Sequence, residues 1–105
     1  MYLKFLISQS NTLVGGLEEN FKLIKKSYLI AIKKKCNFFV TTELALCGYP
    51  PRDLILRDDF LAKVLLIQKK LIALTKNQDC TMVLGTPSKR GKKIFNSVFV
   101  INNGK

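Results

Sequence analysis

The sequence has no apolar run long enough to cross a membrane and no secretory cleavage pattern. Its N-terminal run, MYLKFLISQS, is too short for a membrane span. Internal repeats, low-complexity tracts and linkers are also absent. With a length of 105 residues, these absences indicate one small domain at most. We therefore expect a cytoplasmic location and no membrane partner.

The usual disulfide and metal-binding patterns of cysteine are missing. The three cysteines, Cys36, Cys47 and Cys80, are an odd number and have no metal-ligand spacing. This pattern favours reduced thiols and predicts no metal site.

Acidic residues are few as well, with 7 Asp and Glu against 18 Lys and Arg and a net charge of +11. Such a balance can indicate nucleic acid or another anionic partner. However, only Arg52, Arg57 and Arg90 are arginines, and the lysines are scattered over both predicted helices. Because arginine is the better residue for base-edge and bidentate phosphate contacts, the pattern favours solvated helix faces over nucleic-acid binding. A non-enzymatic basic binding module is kept as an alternative.

A hydrophobic content of 48% argues for a folded chain, and the apolar periodicity predicts a β-α-β unit followed by a helix and two strands. The predicted strands are Tyr2–Gln9, Phe38–Thr41, Thr81–Leu84 and Phe95–Ile101. The first predicted helix runs from Leu17 to Lys35, and Gly16 before it has no side chain to cap it. The second runs from Phe60 to about Lys76, with Asp58 or Asp59 as N-cap. The fold class is therefore α/β, with about four strands and two helices.

Two predicted elements lack a packing or pairing partner in this sequence. The second helix has a wide apolar face, since Leu61, Leu65, Leu66 and Ile72 add to its main stripe, which suggests burial on two sides or a missing partner. Asn102-Asn103-Gly104 is a strong hairpin turn that needs a returning strand. We therefore expect the sequence to stop within a motif.

The stretch ELALCGYPPRDLIL, residues 43–56, follows the second predicted strand directly. Functional groups commonly lie where a buried strand gives way to a loop, so Glu43 is the candidate functional residue. The alternative is a solvated loop acid without a chemical role. Pro50-Pro51 excludes a helix through Tyr49, and Arg52–Arg57 reads as a short turn.

This stretch resembles the glutamate motif of the nitrilase, or carbon–nitrogen hydrolase, superfamily. Its GYPPRDLIL part is most similar to the N-terminal glutaminase domain of glutamine-dependent NAD⁺ synthetases, and Gly85-Thr86-Pro87 and Phe95-Asn96-Ser97 fall where that family has similar segments. The resemblance implies an incomplete nitrilase-type α-β-β-α sandwich. Residues 1–105 would then be the N-terminal fragment of a glutaminase domain, with the synthetase domain absent.

The resembled family hydrolyses amides with a Glu-Lys-Cys set, in which Cys attacks, Glu acts as general base and Lys stabilises the oxyanion. Carried over, only Glu43 finds its place as a catalytic residue, and Tyr49 matches a substrate-binding position. Lys105 matches a turn position, and Cys47 lies where the family has various small residues. Two departures are Thr41-Thr42, where the family usually has Phe-Pro, and Gly16, where it has an acidic helix cap.

The implied parent activity is hydrolysis of glutamine to supply ammonia for NAD⁺ biosynthesis, and we expect this chain to be inactive alone. No cofactor is expected for it, since ATP and Mg²⁺ would belong to the synthetase domain. Glutamine is the expected parent substrate. The other alternative is one half of a split amidase, with a complementing chain or a second copy as partner.

Overall fold

A computed structural model describes residues 2–105 as one four-stranded sheet with two long helices. In chain order the elements are β1 (Phe5–Ile7), α1 (Leu17–Lys33), β2 (Phe38–Val40), a short 3₁₀ turn (Arg52–Leu56), α2 (Asp58–Leu74), β3 (Thr81–Arg90) and β4 (Lys93–Ile101). The strand order is β1-β2-β3-β4. The first two pairings are parallel and β3 pairs antiparallel with β4. The predicted class, α/β with four strands and two helices, is confirmed.

The core lies between the helices and one face of the sheet. The Tyr28 ring of α1 meets Phe39 of β2 edge to face, with centroids 5.6 Å apart. The Tyr28 hydroxyl donates a 2.7 Å hydrogen bond to the carbonyl oxygen of Cys80, just before β3. Tyr28 is fully buried, so its one polar atom needs this partner. The bond ties α1 to the start of β3.

The opposite face of the sheet carries apolar side chains that no element within residues 2–105 covers. Ile7, Val40, Val83 and Val100 pair in register and form one row across all four strands. Ile7 and Val100, at the ends of this row, are 65% and 67% exposed. We call this surface the open sheet face; it is formed by Phe5, Ile7, Val40, Val83, Val98 and Val100. Contiguous apolar surfaces of this kind mark interaction sites.

Helix α1 begins as predicted but ends at Lys33, two residues early. Gly16 is its N-cap and offers no side-chain cap. At the other end Lys35 adopts a positive φ of 57°. There the N–H groups of Lys35 and Cys36 donate to the carbonyl oxygens of Ile32 and Ala31, both at 2.9 Å. This pair of bonds ends the helix, and Lys35 occupies the positive-φ position that is usually glycine.

Helix α2 spans Asp58–Leu74 and its N-cap is Arg57, so the predicted cap at Asp58 or Asp59 is wrong. The Asp59 carboxylate instead pairs with the Arg57 guanidinium at 2.8 Å, and Asp58 pairs with Lys89 at 3.1 Å. Both acids still lie in the first turn, where the helix dipole favours negative charge. Neither α1 nor α2, within the described part of the chain, has the length and apolar character of a membrane span.

The strand bounds differ from the prediction because pairing partners set them. Strand β1 is short because β2 offers only Phe38–Val40 for pairing. Strand β3 runs past Leu84 to Arg90 because β4 continues alongside it. Pro87 is tolerated in β3 because β2 pairs with β3 only as far as Val83. Beyond Val83 the edge of β3 that faces β2 needs no N–H donor.

Two turns complete the hairpin region. Gly91, with φ of 60°, and Lys92 link β3 to β4. After β4, Asn103 and Gly104 both have positive φ, at 51° and 77°. Asn102 and Lys105 exchange backbone hydrogen bonds of 3.0 and 3.1 Å around them. The predicted Asn-Gly hairpin turn is confirmed, and its geometry is that of a type I′ turn.

Candidate functional site

Glu43 begins the turn that follows β2, at the carboxyl edge of the parallel strands. The N–H of Gly48 donates to the Leu44 carbonyl oxygen at 2.9 Å and closes this turn. The N–H of Leu46 donates to the Gly85 carbonyl oxygen at 3.2 Å and ties it to β3. Leu44 is buried with a positive φ of 49°, whereas Glu43 is exposed. The turn therefore directs its apolar residues inward and leaves the acid at the surface.

Gly85 of β3 supports the Glu43 turn by close backbone contact. A Cβ atom added at Gly85 would lie 2.7 Å from the Leu44 nitrogen, and closer still to the Thr42 carbonyl oxygen. The Gly85 N–H also donates to the Thr41 hydroxyl at 2.9 Å. Since both opposing groups are backbone, they cannot move aside cheaply, and only glycine fits this position.

Asn20 of α1 fastens the turn to the loop that follows β1. Its Oδ1 accepts a hydrogen bond from the Leu13 N–H at 2.8 Å, and its Nδ2 donates to the carbonyl oxygens of Leu13 and Leu46 at 2.7 and 3.1 Å. The side chain is fully buried and all of its bonds go to backbone. Asn20 was not among the predicted site residues, because its partners are distant in the sequence and nothing local marks it.

Gly48 allows the two loops to meet. Its φ is +81°, and a Cβ atom there would lie 2.5 Å from the Leu13 carbonyl oxygen and 2.6 Å from Val14 Cα. The N–H of Gly15 donates to the Cys47 carbonyl oxygen at 2.9 Å, beside this contact. The backbone around Glu43 is thus held by α1, by β3 and by the loop after β1.

An open cleft of about 500 Å³ lies over Glu43. Tyr49, which is 61% exposed, lines it too, so the structure brings together the two site residues that the sequence predicted. The other lining residues are neutral and polar: Ser10, Asn11, Thr12 and Thr42. Of these, only Thr42 stood out in the sequence, as part of the Thr41-Thr42 departure from the resembled family. Their hydroxyl and amide groups could bind a neutral polar ligand beside a single carboxylate.

The cysteines of this chain do not reach the cleft. Cys47 is fully buried, and its thiol points to the carbonyl oxygens of Leu44 and Gly48, at 3.6 and 3.5 Å. Burial raises the pKa of Cys47 to about 11. A protonated thiol is a weak nucleophile, so the structure argues against Cys47 as a substitute. Cys36 and Cys80 are buried free thiols, as predicted.

Lys105 also lies away from Glu43. Its turn is fixed at the other end of the sheet, where the Gly104 N–H donates to the Thr75 hydroxyl at 2.8 Å, beyond the end of α2. Strand β4 leads there, since Ile101 pairs with Met82 near the beginning of β3. Glu43 lies at the carboxyl edge of the parallel strands and Lys105 at the amino edge. In residues 2–105, moreover, no group of three His, Cys, Asp or Glu could hold a metal ion.

Comparisons with known proteins agree with this geometry. The family described as Carbon-nitrogen hydrolase matches residues 7–105. A glutamine-dependent NAD(+) synthetase from Synechocystis sp. is 31% identical over 94% of this chain and 19% of its own length. Two solved glutamine-dependent NAD(+) synthetases share the fold. The one from Cytophaga hutchinsonii has a TM-score of 0.89 and 24% identity over 97% of this chain and 17% of its own. The one from Acinetobacter baumannii has a TM-score of 0.78 and 25% identity over 98% and 19%. The chain thus spans about a fifth of the length of the curated relative.

Proposed function

Because this chain belongs to the carbon–nitrogen hydrolase family, we propose that it contributes the general base of an amide-hydrolysing site, and that Glu43 is that base. The observation that carries the proposal is the placement of this carboxylate. Glu43 lies at the carboxyl edge of parallel strands, in an open polar cleft, on a turn that β3 braces from behind. A general base must be held where it reaches the proton that it takes, and a rigid turn provides this.

We propose glutamine as the substrate. The relatives are named glutamine-dependent, and the neutral side chains around Glu43 can hydrogen-bond a carboxamide. In the proposed reaction Glu43 takes the proton of a cysteine thiol, whose thiolate attacks the amide carbon while a lysine stabilises the oxyanion. Glu43 returns the proton to the amide nitrogen, the C–N bond breaks, and ammonia leaves with a thioester remaining. Glu43 then takes a proton from water, which attacks the thioester and releases glutamate and the thiol, and Tyr49 lines the substrate pocket. The proposal assigns no cofactor to this chain; ATP and Mg²⁺ would serve a synthetase domain.

The nucleophile and the oxyanion cation of this reaction would come from outside residues 2–105. Within those residues neither a lysine nor a cysteine lines the cleft, and Cys47 is buried in its thiol form. We therefore propose that the chain on its own releases no ammonia from glutamine.

A second candidate is one half of a split amidase, completed by another polypeptide. The specific observation in its favour is the open sheet face, whose row of apolar residues lies uncovered within residues 2–105. Leu65 and Leu66 of α2, 52% and 61% exposed, add a smaller apolar surface. Covering such surfaces is favourable, at about 25 cal/mol per Å² of apolar area.

The test is ammonia release from glutamine. The chain is assayed alone and together with the Synechocystis synthetase from which the matching segment has been deleted. We expect no release by the chain alone, release by the mixture, and loss of that release with Glu43→Gln. The matched control is Glu18→Gln, an exposed acid in the first turn of α1.

Three results would contradict parts of this proposal. Release by the mixture that survives Glu43→Gln would remove Glu43 from the mechanism. Release by the chain alone, abolished by Glu43→Gln, would show that it needs no outside lysine or cysteine. If the two parts co-purify without activity, fusing them in one polypeptide separates failed assembly from failed chemistry; an inactive, folded fusion would count against the proposal.

A further inference from the structure

Thr41, the first residue after β2, continues the pairing of β2 with β3 through its side chain. Its N–H donates to the Val83 carbonyl oxygen at 3.0 Å, as the parallel register of the two strands requires. In the same pattern the Gly85 N–H would donate to the Thr41 carbonyl oxygen. It donates instead to the Thr41 hydroxyl, at 2.9 Å. The side chain thus replaces the main chain in the last bond of the ladder, and the backbone can leave the sheet and begin the Glu43 turn.

The same hydroxyl also holds the peptide group that joins Thr42 to Glu43. It donates to the Thr42 carbonyl oxygen at 3.2 Å, and the Ala45 N–H donates to that oxygen at 3.3 Å. Because a peptide group is planar, fixing the direction of its oxygen fixes the direction in which the Glu43 Cα leaves. The Thr41 hydroxyl therefore connects β3 to the backbone of Glu43 through one atom.

The backbone is what directs the Glu43 side chain in this chain. Glu43 is exposed, and neither of the two ion pairs within residues 2–105 includes it. Thr41 is partly buried and, within those residues, does not line the cleft, whereas Thr42 and Glu43 do. Any effect of Thr41 on a ligand must therefore pass through the peptide that it holds.

We propose that Thr41 is a positioning residue for amide hydrolysis at this site, and that its hydroxyl aims the Glu43 carboxylate. A catalytic group must be held within about 0.5 Å of its productive position, and displacements of about 1 Å can cost a hundredfold in rate. Valine has nearly the shape of threonine but no hydroxyl, so it would leave the Gly85 N–H without its acceptor and the Thr42 carbonyl with one donor fewer. This inference rests on the function proposed for Glu43 and adds to it the residue that directs the base.

The chain offers a matched control in a second threonine with the same pair of hydrogen bonds. The Thr75 hydroxyl donates to the Ile72 carbonyl oxygen at 2.7 Å and accepts from the Gly104 N–H at 2.8 Å. Thr75 is fully buried and lies at the other end of the sheet from Glu43. Thr75→Val removes the same group and the same kinds of bond as Thr41→Val. It therefore separates a loss of stability from a loss of positioning.

The first measurement is ammonia release from glutamine by the mixture of this chain with the Synechocystis synthetase that lacks the matching segment, or by their fusion. We expect Thr41→Val to lower kcat about tenfold and to leave KM within about twofold, because the base is misdirected while the cleft lining is unchanged. Thr41→Ser, which keeps the hydroxyl, should stay within about threefold of wild type, and Thr75→Val within about twofold. Circular dichroism checks that each variant is folded, and Thr41→Ala replaces Thr41→Val if the latter does not fold.

The second measurement needs no activity and uses the chain alone. Amide hydrogen exchange at Gly85 and Ala45 should quicken by at least about fivefold in Thr41→Val, since both N–H groups belong to the network around this hydroxyl. Exchange at these two amides should stay close to wild type in Thr41→Ser and in Thr75→Val.

The outcomes separate this inference from the function on which it rests. If wild type is active but Thr41→Val loses no more kcat than Thr75→Val, or Thr41→Ser loses as much as Thr41→Val, the inference is overturned and the proposed function stands. Unchanged exchange at Gly85 and Ala45 in Thr41→Val would also overturn the inference alone. A folded wild-type fusion that releases no ammonia would overturn the proposed function, and the positioning role with it.

Discussion

Replacing Asn20 by alanine tests whether this one buried side chain holds the loops around the cleft together. The substitution removes the partners of the Leu13 N–H, the Leu13 carbonyl and the Leu46 carbonyl. The bond to Leu46 is fully buried, whereas the Leu13 groups lie where water can replace part of the loss. At about 1–3 kcal/mol for a buried group left unpaired, and less for the other two, we expect roughly 2–4 kcal/mol of destabilisation.

The size of this effect is large for a small domain, whose whole free energy of unfolding is about 5–15 kcal/mol. Urea unfolding followed by circular dichroism measures it, with Asn96→Ala, at an exposed position of β4, as the control. Asn20→Asp should cost at least as much, because it places an acceptor against two carbonyl oxygens. Amide hydrogen exchange should quicken at Leu13. A cost for Asn20→Ala below about 1 kcal/mol, or no change in exchange, would refute the reasoning.

Three further predictions use unfolding measurements on the same chain. Gly85→Ala should lower the free energy of unfolding by roughly 1–3 kcal/mol, because its Cβ would press on backbone atoms of Leu44 and Thr42; an unchanged urea midpoint would contradict the close contact. Lys35→Gly should raise it by roughly 0.5–1 kcal/mol, since glycine adopts the positive φ at the end of α1 without strain; a lowered midpoint would contradict this. Burial raises the pKa of Cys47 from 9.0 to about 11, so its contribution to stability is complete below pH 9.0 and is lost as the pH rises through about 11. Cys47→Ala should therefore lose less stability than wild type over that interval, and identical pH profiles would count against it.

The sheet and helices could be predicted because their signal is local. Apolar residues recur at helical spacing in α1 and α2, and they form a continuous short run in β2. The ends of β1 and β3 could not be predicted this way, because a strand ends where its neighbour stops pairing. The prediction of the α2 N-cap was wrong for a similar reason. The Asp59 carboxylate pairs with the Arg57 guanidinium, and Arg57 itself occupies the cap position.

The candidate site likewise contains residues that could be predicted from the sequence and residues that could not. Glu43 could be named from its position after a strand and, with Tyr49, from the resemblance of residues 43–56; the comparisons confirm the family behind that resemblance. The roles of both residues stay predictions. Asn20 could not be found from the sequence, because its partners lie 7 and 26 residues away along the chain. The polar residues that complete the cleft could not be told from other loop residues until the β1 loop was placed beside Thr42.

The contact between Gly85 and the Glu43 turn predicts an order of events in folding. The hydrogen bond from Gly85 to Thr41 spans 44 residues, and the parallel pairings of β2 also join distant parts of the chain. Of the three strand pairings within residues 2–105, the β3–β4 hairpin is the one that closes locally, around Gly91. Because distant contacts form after local ones have lowered their entropic cost, the cleft is assembled late. A chain emerging from the ribosome therefore exposes Glu43 well before it can build the site that surrounds it.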